Sequence, residues 1–268
     1  MDGRDKSNHD ALQSARTERP AIQSLSTLAL IYCFVVMVLA YSARGATGFG
    51  AAVAMPLLAL VVPLKILVPA WTLTGIAAGV ALMGEDRKHV AWNEMLRLVP
   101  GCFAGIAVGL YIFTHVSSET LAKWLGVAVL LYGIYSLAGT FRADLKAKLP
   151  PWMAPALGGF GGGITGTVVG TMGSVFFAMY FDAIRLAKEQ YRATMTAILL
   201  TLTITRGIGY WAVGEFTAEV LIAAAMLLLP MLIGIFIGNR FHHGMSDLVF
   251  RRTVSGALIA SGLALLIK

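Results

Sequence analysis

Apolar runs close to twenty residues long recur along the chain from about residue 25 to its C-terminus, separated by short polar connections. A bilayer core of roughly 30 Å needs about 20 apolar residues to be crossed by one α-helix. Backbone in lipid must also satisfy its own polar groups, which leaves only helices and closed barrels. Barrel strands would alternate apolar and polar positions over about ten residues, and no such alternation is visible here. The runs therefore predict an all-α polytopic membrane protein.

Ten segments can be marked. In the first half they are Leu25–Ala43, Ala51–Val62, Ile66–Met83, Met95–Thr114 and Leu121–Thr140. In the second they are Trp152–Val169, Ser174–Asp182, Tyr191–Val213, Ala218–Gly238 and Val249–Ile267. Ala51–Val62 and Ser174–Asp182 are too short to span comfortably, and each follows a glycine-rich stretch. They are expected to be halves of broken or re-entrant pairs.

Only 13% of residues are charged, against about 25% in soluble domains. The net charge of +7 does not signal nucleic acid, because the basic residues stand at the edges of the apolar runs: Arg87-Lys88, Arg142 to Lys148, Arg185 to Arg192 and Arg251-Arg252. That is the distribution of cytoplasmic loops under the positive-inside rule. Residues 1–24 mix both signs without an apolar core and read as a disordered polar tail, retained rather than cleaved as a signal peptide. Cys33 and Cys102 lie inside apolar runs and read as buried free thiols. No cofactor is expected, and no residue spacing suggests a metal site. The five tryptophans, Trp71, Trp92, Trp124, Trp152 and Trp211, fall toward segment ends, as an aromatic belt would.

The two halves look duplicated. Gly50, Lys65 and Ala70 match Gly173, Lys188 and Ala193 at an offset of 123 (173 − 50 and 188 − 65). Gly105, Gly109, Ser117 and Lys123 match Gly234, Gly238, Ser246 and Arg252 at 129 (234 − 105 and 252 − 123), which requires a short insertion near Gly207–Glu215. The expected organisation is a first transmembrane repeat over 25–140, a basic inter-repeat loop over 141–151 and a second repeat over 152–268. Each repeat is expected to hold about four to five helical segments, and an odd number of them would invert the second repeat relative to the first. Placing Arg142–Lys148 in the cytoplasm puts Arg87-Lys88, Arg185–Lys188 and Arg240–Arg252 there too, with Glu215 and Glu219 outside. The same scheme places the mixed-charge tail outside.

Chemistry is expected at the two breaks, Arg44–Gly50 and Gly158–Gly173. Dense glycine weakens a helix by about 1 kcal/mol per residue relative to alanine, and unwound backbone is tolerated in a membrane only where it is buried or lines a wet cavity. Paired discontinuous helices point to a transporter's binding site. Half-helices beginning after Gly50 and Gly173 would aim their N-terminal amides at it, with the hydroxyls of Thr47, Thr171 and Ser174 nearby, and this combination suits an anion. Gly48, Gly50, Gly170 and Gly173 are expected to belong to the same substrate-binding site. For Gly158–Gly166, close helix packing is an equal alternative, and Gly101-x-x-x-Gly105-x-x-x-Gly109 reads as packing.

Arg206 lies well inside an apolar segment, where a charge costs roughly 2.5–3.5 kcal/mol on insertion scales and is functional by default. It reads as an anion ligand or as half of a charge pair. Arg44 reads either as a second ligand or as a side chain snorkelling to an interface. The remaining polar clusters, Glu85–Lys88, Asp182–Arg192 and His242-His243, read as solvated connections, and no nucleophile–base arrangement suggests an enzyme.

The segment Gly45-Ala-Thr-Gly-Phe-Gly-Ala-Ala-Val-Ala-Met-Pro-Leu-Leu58 resembles the glycine-rich signature of the sulfite exporter TauE/SafE-like permeases. Gly166-Thr-Val-Val-Gly-Thr-Met-Gly-Ser174, followed by Tyr191-Arg-Ala-Thr-Met-Thr196, looks like its second copy. The resemblance runs from about Leu25 to the C-terminus. The chain departs from the family's pattern at Gly50-Ala51-Ala52, where the family tends to have three glycines, and at Ser174 and Phe176. The resemblance implies movement of small anions (sulfur oxyanions, organosulfonates or small carboxylates) across a bacterial cytoplasmic membrane, coupled to a proton or another cation. A passive anion channel and a non-transporting scaffold or receptor are the alternatives. The expected partners are the small anion, a coupling proton or cation and the lipid bilayer, with oligomerisation left open.

Overall fold

The computed structural model describes residues 25–47, 53–139, 153–240 and 247–267. Its described residues form ten α-helices: α1 (Thr27–Thr47), α2 (Ala54–Ala59), α3 (Leu64–Met83), α4 (Trp92–His115), α5 (Ser118–Gly139), α6 (Ala154–Val169), α7 (Gly173–Ala183), α8 (Lys188–Ala212), α9 (Ala218–Arg240) and α10 (Asp247–Ile267). A 3-10 turn at Glu85–His89 joins α3 to α4. The polar tail, the inter-repeat loop, Trp152 and His242-His243 lie outside the described residues. Each apolar segment read from the sequence has become one helix, with ends shifted by a few residues. The largest difference is at the first break: the helical backbone continues through Arg44 to Thr47, so the interruption begins after Thr47.

Among the described residues four helices are long and apolar enough to cross a membrane: α3, α4, most of α5 (Ser118–Ala138) and most of α9 (Ala218–Gly238). The surface agrees with that reading. Leu28, Leu39, Leu96, Leu131, Ile208, Trp211 and Phe236 are all exposed, an arrangement that water would punish and lipid rewards. Helix α8 is inside-out relative to a soluble amphipathic helix. Its polar residues Thr194, Thr203 and Arg206 are buried, while Ile204, Ile208 and Trp211 face outward. Of the belt tryptophans, Trp92, Trp124 and Trp211 are exposed, but Trp71 is buried against Tyr41, with ring centroids 5.5 Å apart. Trp71 is therefore a core residue: it lies in the middle of α3, a helix packed among others.

The helices pair in a regular way. The most extensive pairings are α4 with α6, α5 with α10, and α1 with α9, and α3 packs on α8. Backbones approach closely where glycines face each other. A Cβ at Gly105 would stand 2.9 Å from the Ile164 amide nitrogen and 3.0 Å from Gly163 Cα; one at Gly163 would stand 2.5 Å from the Cys102 carbonyl oxygen. Small residues are what permit this approach in helix pairs. The neighbours advance together, Gly101 beside Ala156, Gly105 beside Ile164 and Gly109 beside Thr167, so α4 and α6 run parallel. Gly234 and Gly238 place α9 parallel to α1 in the same way, against Val38 and Ser42. By contrast, α3 and α8 are antiparallel, with Gly75 beside Thr203 and Gly79 beside Leu200. So are α5 and α10, where Gly126 meets Gly262, Gly133 meets Ile259, and Ser255 Oγ lies 2.9 Å from Ser136 Oγ.

The six glycines of α6 do not interrupt it. The helix runs unbroken from Ala154 to Val169, and these glycines let α4 pack on one side and α7 on the other. Close packing, one of the two roles open to Gly158–Gly166, is the observed one.

Candidate functional site: a buried helix break

Helix α6 stops at Val169. Gly170 takes φ = +89°, a conformation a side chain would strain, and its amide closes back on the Gly166 carbonyl at 3.1 Å. Thr171 and Met172 complete the turn, and α7 starts at Gly173. It then returns along α6. A Cβ at Gly173 would stand 2.6 Å from the Gly162 carbonyl oxygen; Gly162 faces the Phe177 ring; Gly158 faces Tyr180 Cβ. The two helices are thus an antiparallel hairpin whose tip is Gly170–Met172. With 11 residues, α7 is about 16 Å long, too short to cross. The pair is a broken helical hairpin, one of the two forms that the length of the second short segment suggested.

The base of this hairpin is held by α4. Tyr180 donates to Glu94 Oε2 at 2.5 Å, and Arg97 Nη1 pairs with Glu94 Oε1 at 2.9 Å. In the first half, Tyr32 of α1 donates to the Leu57 carbonyl of α2 at 3.1 Å. Leu57 lies ten residues beyond the end of α1 yet level with its N-terminal half, so the chain doubles back there too.

The tip is buried. Val168, Val169, Thr171, Met172 and Ser174 are all buried, and a Cβ at Gly170 would run into the Met55 side chain and lie 3.7 Å from Val68 Cγ1. Met55 belongs to α2 and Val68 to α3, so the second break abuts elements of the first half. Ser174 Oγ donates to the Thr171 carbonyl at 3.0 Å. Thr171 Oγ1 is buried without a hydrogen-bond partner among the described residues. Buried hydroxyls nearly always have a partner, and an orphan calls for an explanation such as a ligand or water.

Arg206, only 2% exposed, reaches this break from α8. Its Nη1 donates to the Gly170 carbonyl at 2.9 Å and also to the Gly166 carbonyl. One turn further along α8, Tyr210 donates its hydroxyl to the Thr167 carbonyl. Carbonyls at the end of α6 and just past it, those of Gly166, Thr167 and Gly170, are therefore met by side-chain donors from α8. Tyr210 escaped the sequence reading although its spacing, four residues after Arg206 on the same helix face, was a usable signal. Lys65 also satisfies a helix end, donating to the Thr114 carbonyl of α4 at 3.2 Å with its ammonium 5.2 Å from the Phe113 ring centroid.

Of the residues singled out in the sequence, Gly170, Thr171, Gly173, Ser174 and Arg206 meet at this one place. Arg44 and Thr47 occupy the last turn of α1, and Gly48 and Gly50 lie outside the described residues. Among the described residues no group of three His, Cys, Asp or Glu side chains is placed to hold a metal ion.

A bundle of long apolar helices, lipid-facing on its outside and carrying a buried helix break within, defines a multi-pass membrane protein. The family model for the sulfite exporter TauE/SafE matches residues 33–265, and the chain belongs to that family. It is similar to the "Probable sulfite/organosulfonate exporter TauE" of Cupriavidus necator, with 24% identity over 208 residues, 73% of this chain and 76% of the relative. No solved structure matches it.

Proposed function

We propose that the chain is a secondary transporter of small anions (sulfite, an organosulfonate or a small carboxylate) in a bacterial cytoplasmic membrane, driven by a proton or cation gradient. The observation that carries the reading is the orphan Thr171 hydroxyl, buried at a helix break where the Thr167 and Gly170 carbonyls are already occupied. The amides at the start of α7 carry the positive end of a helix dipole, a natural seat for negative charge. Thr171, Ser174 and the backbone at Gly170 and Gly173 form the second half's share of the site. Arg44, Thr47, Gly48 and Gly50 form the first half's share, a reading supported by the contact of Gly170 with Met55 of α2.

Residues 25–140 and 152–268 act as two inverted repeats, joined by the basic loop 141–151 and preceded by the polar tail 1–24. The pairings support this: exchanging the halves turns the α4–α6 pair into α9–α1 and maps α3–α8 and α5–α10 onto themselves. The self-mapped pairs are antiparallel and the two exchanged pairs share one relative orientation, as a two-fold axis in the membrane plane requires. Alternating access then follows from one repeat rocking against the other about the shared site.

The test is a thermal-shift panel on the purified protein with sulfite, methanesulfonate, acetate and, as a control, choline, paired with flux into proteoliposomes. Stabilisation by an anion but not by choline, with uptake that accumulates against its gradient when a pH or sodium gradient is imposed, supports the reading. Flux that only equilibrates would make the protein a channel, and no binding with no flux would leave a scaffold.

A further inference from the structure

We infer that Arg206 and Tyr210 are positioning residues that set the charge preference of the tip, silencing the negative end of α6 so that the positive end of α7 dominates, rather than ligands that grip the anion. The inference rests on the tip being the anion site proposed above.

A broken helical hairpin places two opposed helix ends side by side. The C-terminus of α6 carries about half a negative charge on its last carbonyls, and the N-terminus of α7 about half a positive charge on its first amides. Left alone, the two would largely cancel, and an anion at the tip would meet carbonyl oxygens as readily as amides. The structure supplies side-chain donors from another helix to the carbonyl side. The carbonyls of Gly166 and Gly170 receive Arg206 Nη1, the Thr167 carbonyl receives the Tyr210 hydroxyl, and the Gly163 carbonyl receives Thr167 Oγ1 at 2.8 Å. Both cross-helix donors come from one face of α8, and both are buried: Tyr210 is fully inaccessible. On the other side of the turn, Thr171 keeps its hydroxyl uncommitted within the protein. The carbonyls of Gly166, Thr167, Gly170 and Thr171 are engaged and a hydroxyl donor is left available, the polarity an anion needs.

For Tyr210, geometry separates this role from direct ligation. Arg206 Nη1 donates to two backbone oxygens at the end of α6. Tyr210 donates its one proton to Thr167 and has nothing left to donate to an anion. A residue that cannot contribute a donor to the ligand nevertheless belongs to the same capping pair, and Tyr210 therefore distinguishes the two roles.

The experiment uses the full-length protein with Tyr210→Phe, Arg206→Gln and Arg206→Lys, titrated with methanesulfonate as a monoanion and sulfate as a dianion, alongside amide hydrogen exchange over residues 163–176. The positioning role predicts that Tyr210→Phe weakens binding several-fold, with a larger factor for the dianion. It predicts a loss of about tenfold or more for Arg206→Gln, partial recovery with Arg206→Lys, and faster exchange at the tip in both neutral variants. A purely structural role would lower the melting temperature of Tyr210→Phe while leaving the affinity of the folded protein and its dependence on ligand charge untouched, and that result overturns the inference. So does wild-type affinity in Tyr210→Phe combined with abolished binding in Arg206→Gln, which makes Arg206 a direct ligand. If the wild type binds neither anion, the anion site itself fails, and the charge-setting role falls with it. The exchange data then report separately whether the capping pair holds the tip.

Discussion

Arg206 Nη1 stands 2.9 Å from the carbonyl oxygen of Gly170, so a buried cation is bound to the terminal oxygens of a helix that stops inside the protein. The two residues are thirty-six positions apart, and neither would make sense alone. The carbonyls beyond the end of α6 need donors that lipid cannot supply, and a guanidinium in the same surroundings needs acceptors. Each resolves the other's cost, and the broken helix is stable because of it.

Thr171→Val should separate binding from stability. The Thr171 hydroxyl has no partner within the described protein, so removing it forfeits no intramolecular hydrogen bond. The variant is expected to melt at or slightly above the wild-type temperature while losing most of its anion-induced shift. A drop in the unliganded melting temperature with the ligand shift intact would show that the hydroxyl serves the fold alone.

Gly170→Ala should destabilise the tip for two reasons that can be measured apart. Its φ of +89° disfavours any side chain, and the new Cβ runs into Met55. Left-handed strain costs of order 1–3 kcal/mol. Adding Met55→Ala relieves the collision but not the strain, so the double variant should regain only part of the loss expected from summing the two single changes. Strict additivity in denaturation midpoints would argue that Met55 does not touch residue 170.

Gly105→Leu and Gly163→Leu should weaken the α4–α6 pair by several kcal/mol, since backbone rather than a movable side chain occupies the space. Gly256→Ala in α10 is the control: nothing lies within 4 Å of its added Cβ, and the exchange should stabilise by up to about 1 kcal/mol. The check is the temperature at which each variant loses its monodisperse chromatographic peak.

Tyr180→Phe should loosen the base of the α6–α7 hairpin while leaving its tip formed. The bond to Glu94 is short and charge-assisted, and such bonds contribute about 1.5–3 kcal/mol when intact. Hydrogen exchange is expected to quicken across α7 near residues 178–183 more than at 170–174. Uniform quickening along the hairpin would mean that the base and tip unfold together.

The membrane class, the ten helical segments and the existence of the second break were all legible in the chain, because they depend on local quantities: run length, hydropathy and glycine density. The short segment Ser174–Asp182 declared by its length that it could not cross. The glycines of Gly158–Gly166 were ambiguous, since the same composition serves a broken helix and a closely packed one. Only the neighbours Cys102, Phe176 and Phe177 decide for packing. Trp71 misled for a similar reason, as position in a segment says nothing about which helices surround it.

The sequence by itself determined that this chain must live in a bilayer, fold as helices and interrupt one of them with glycine, since lipid leaves backbone no other way to satisfy its hydrogen bonds. It also marked Arg206 as a residue with a purpose. What that purpose is, and that Tyr210 shares it, came only from the tertiary structure. A charge inside a membrane is costly unless something nearby answers it, and the answer here lies on another helix, at the carbonyls of Gly166 and Gly170. Which oxygen meets which donor is fixed by how α8 packs against α6, and packing is a relation between segments that no single segment encodes.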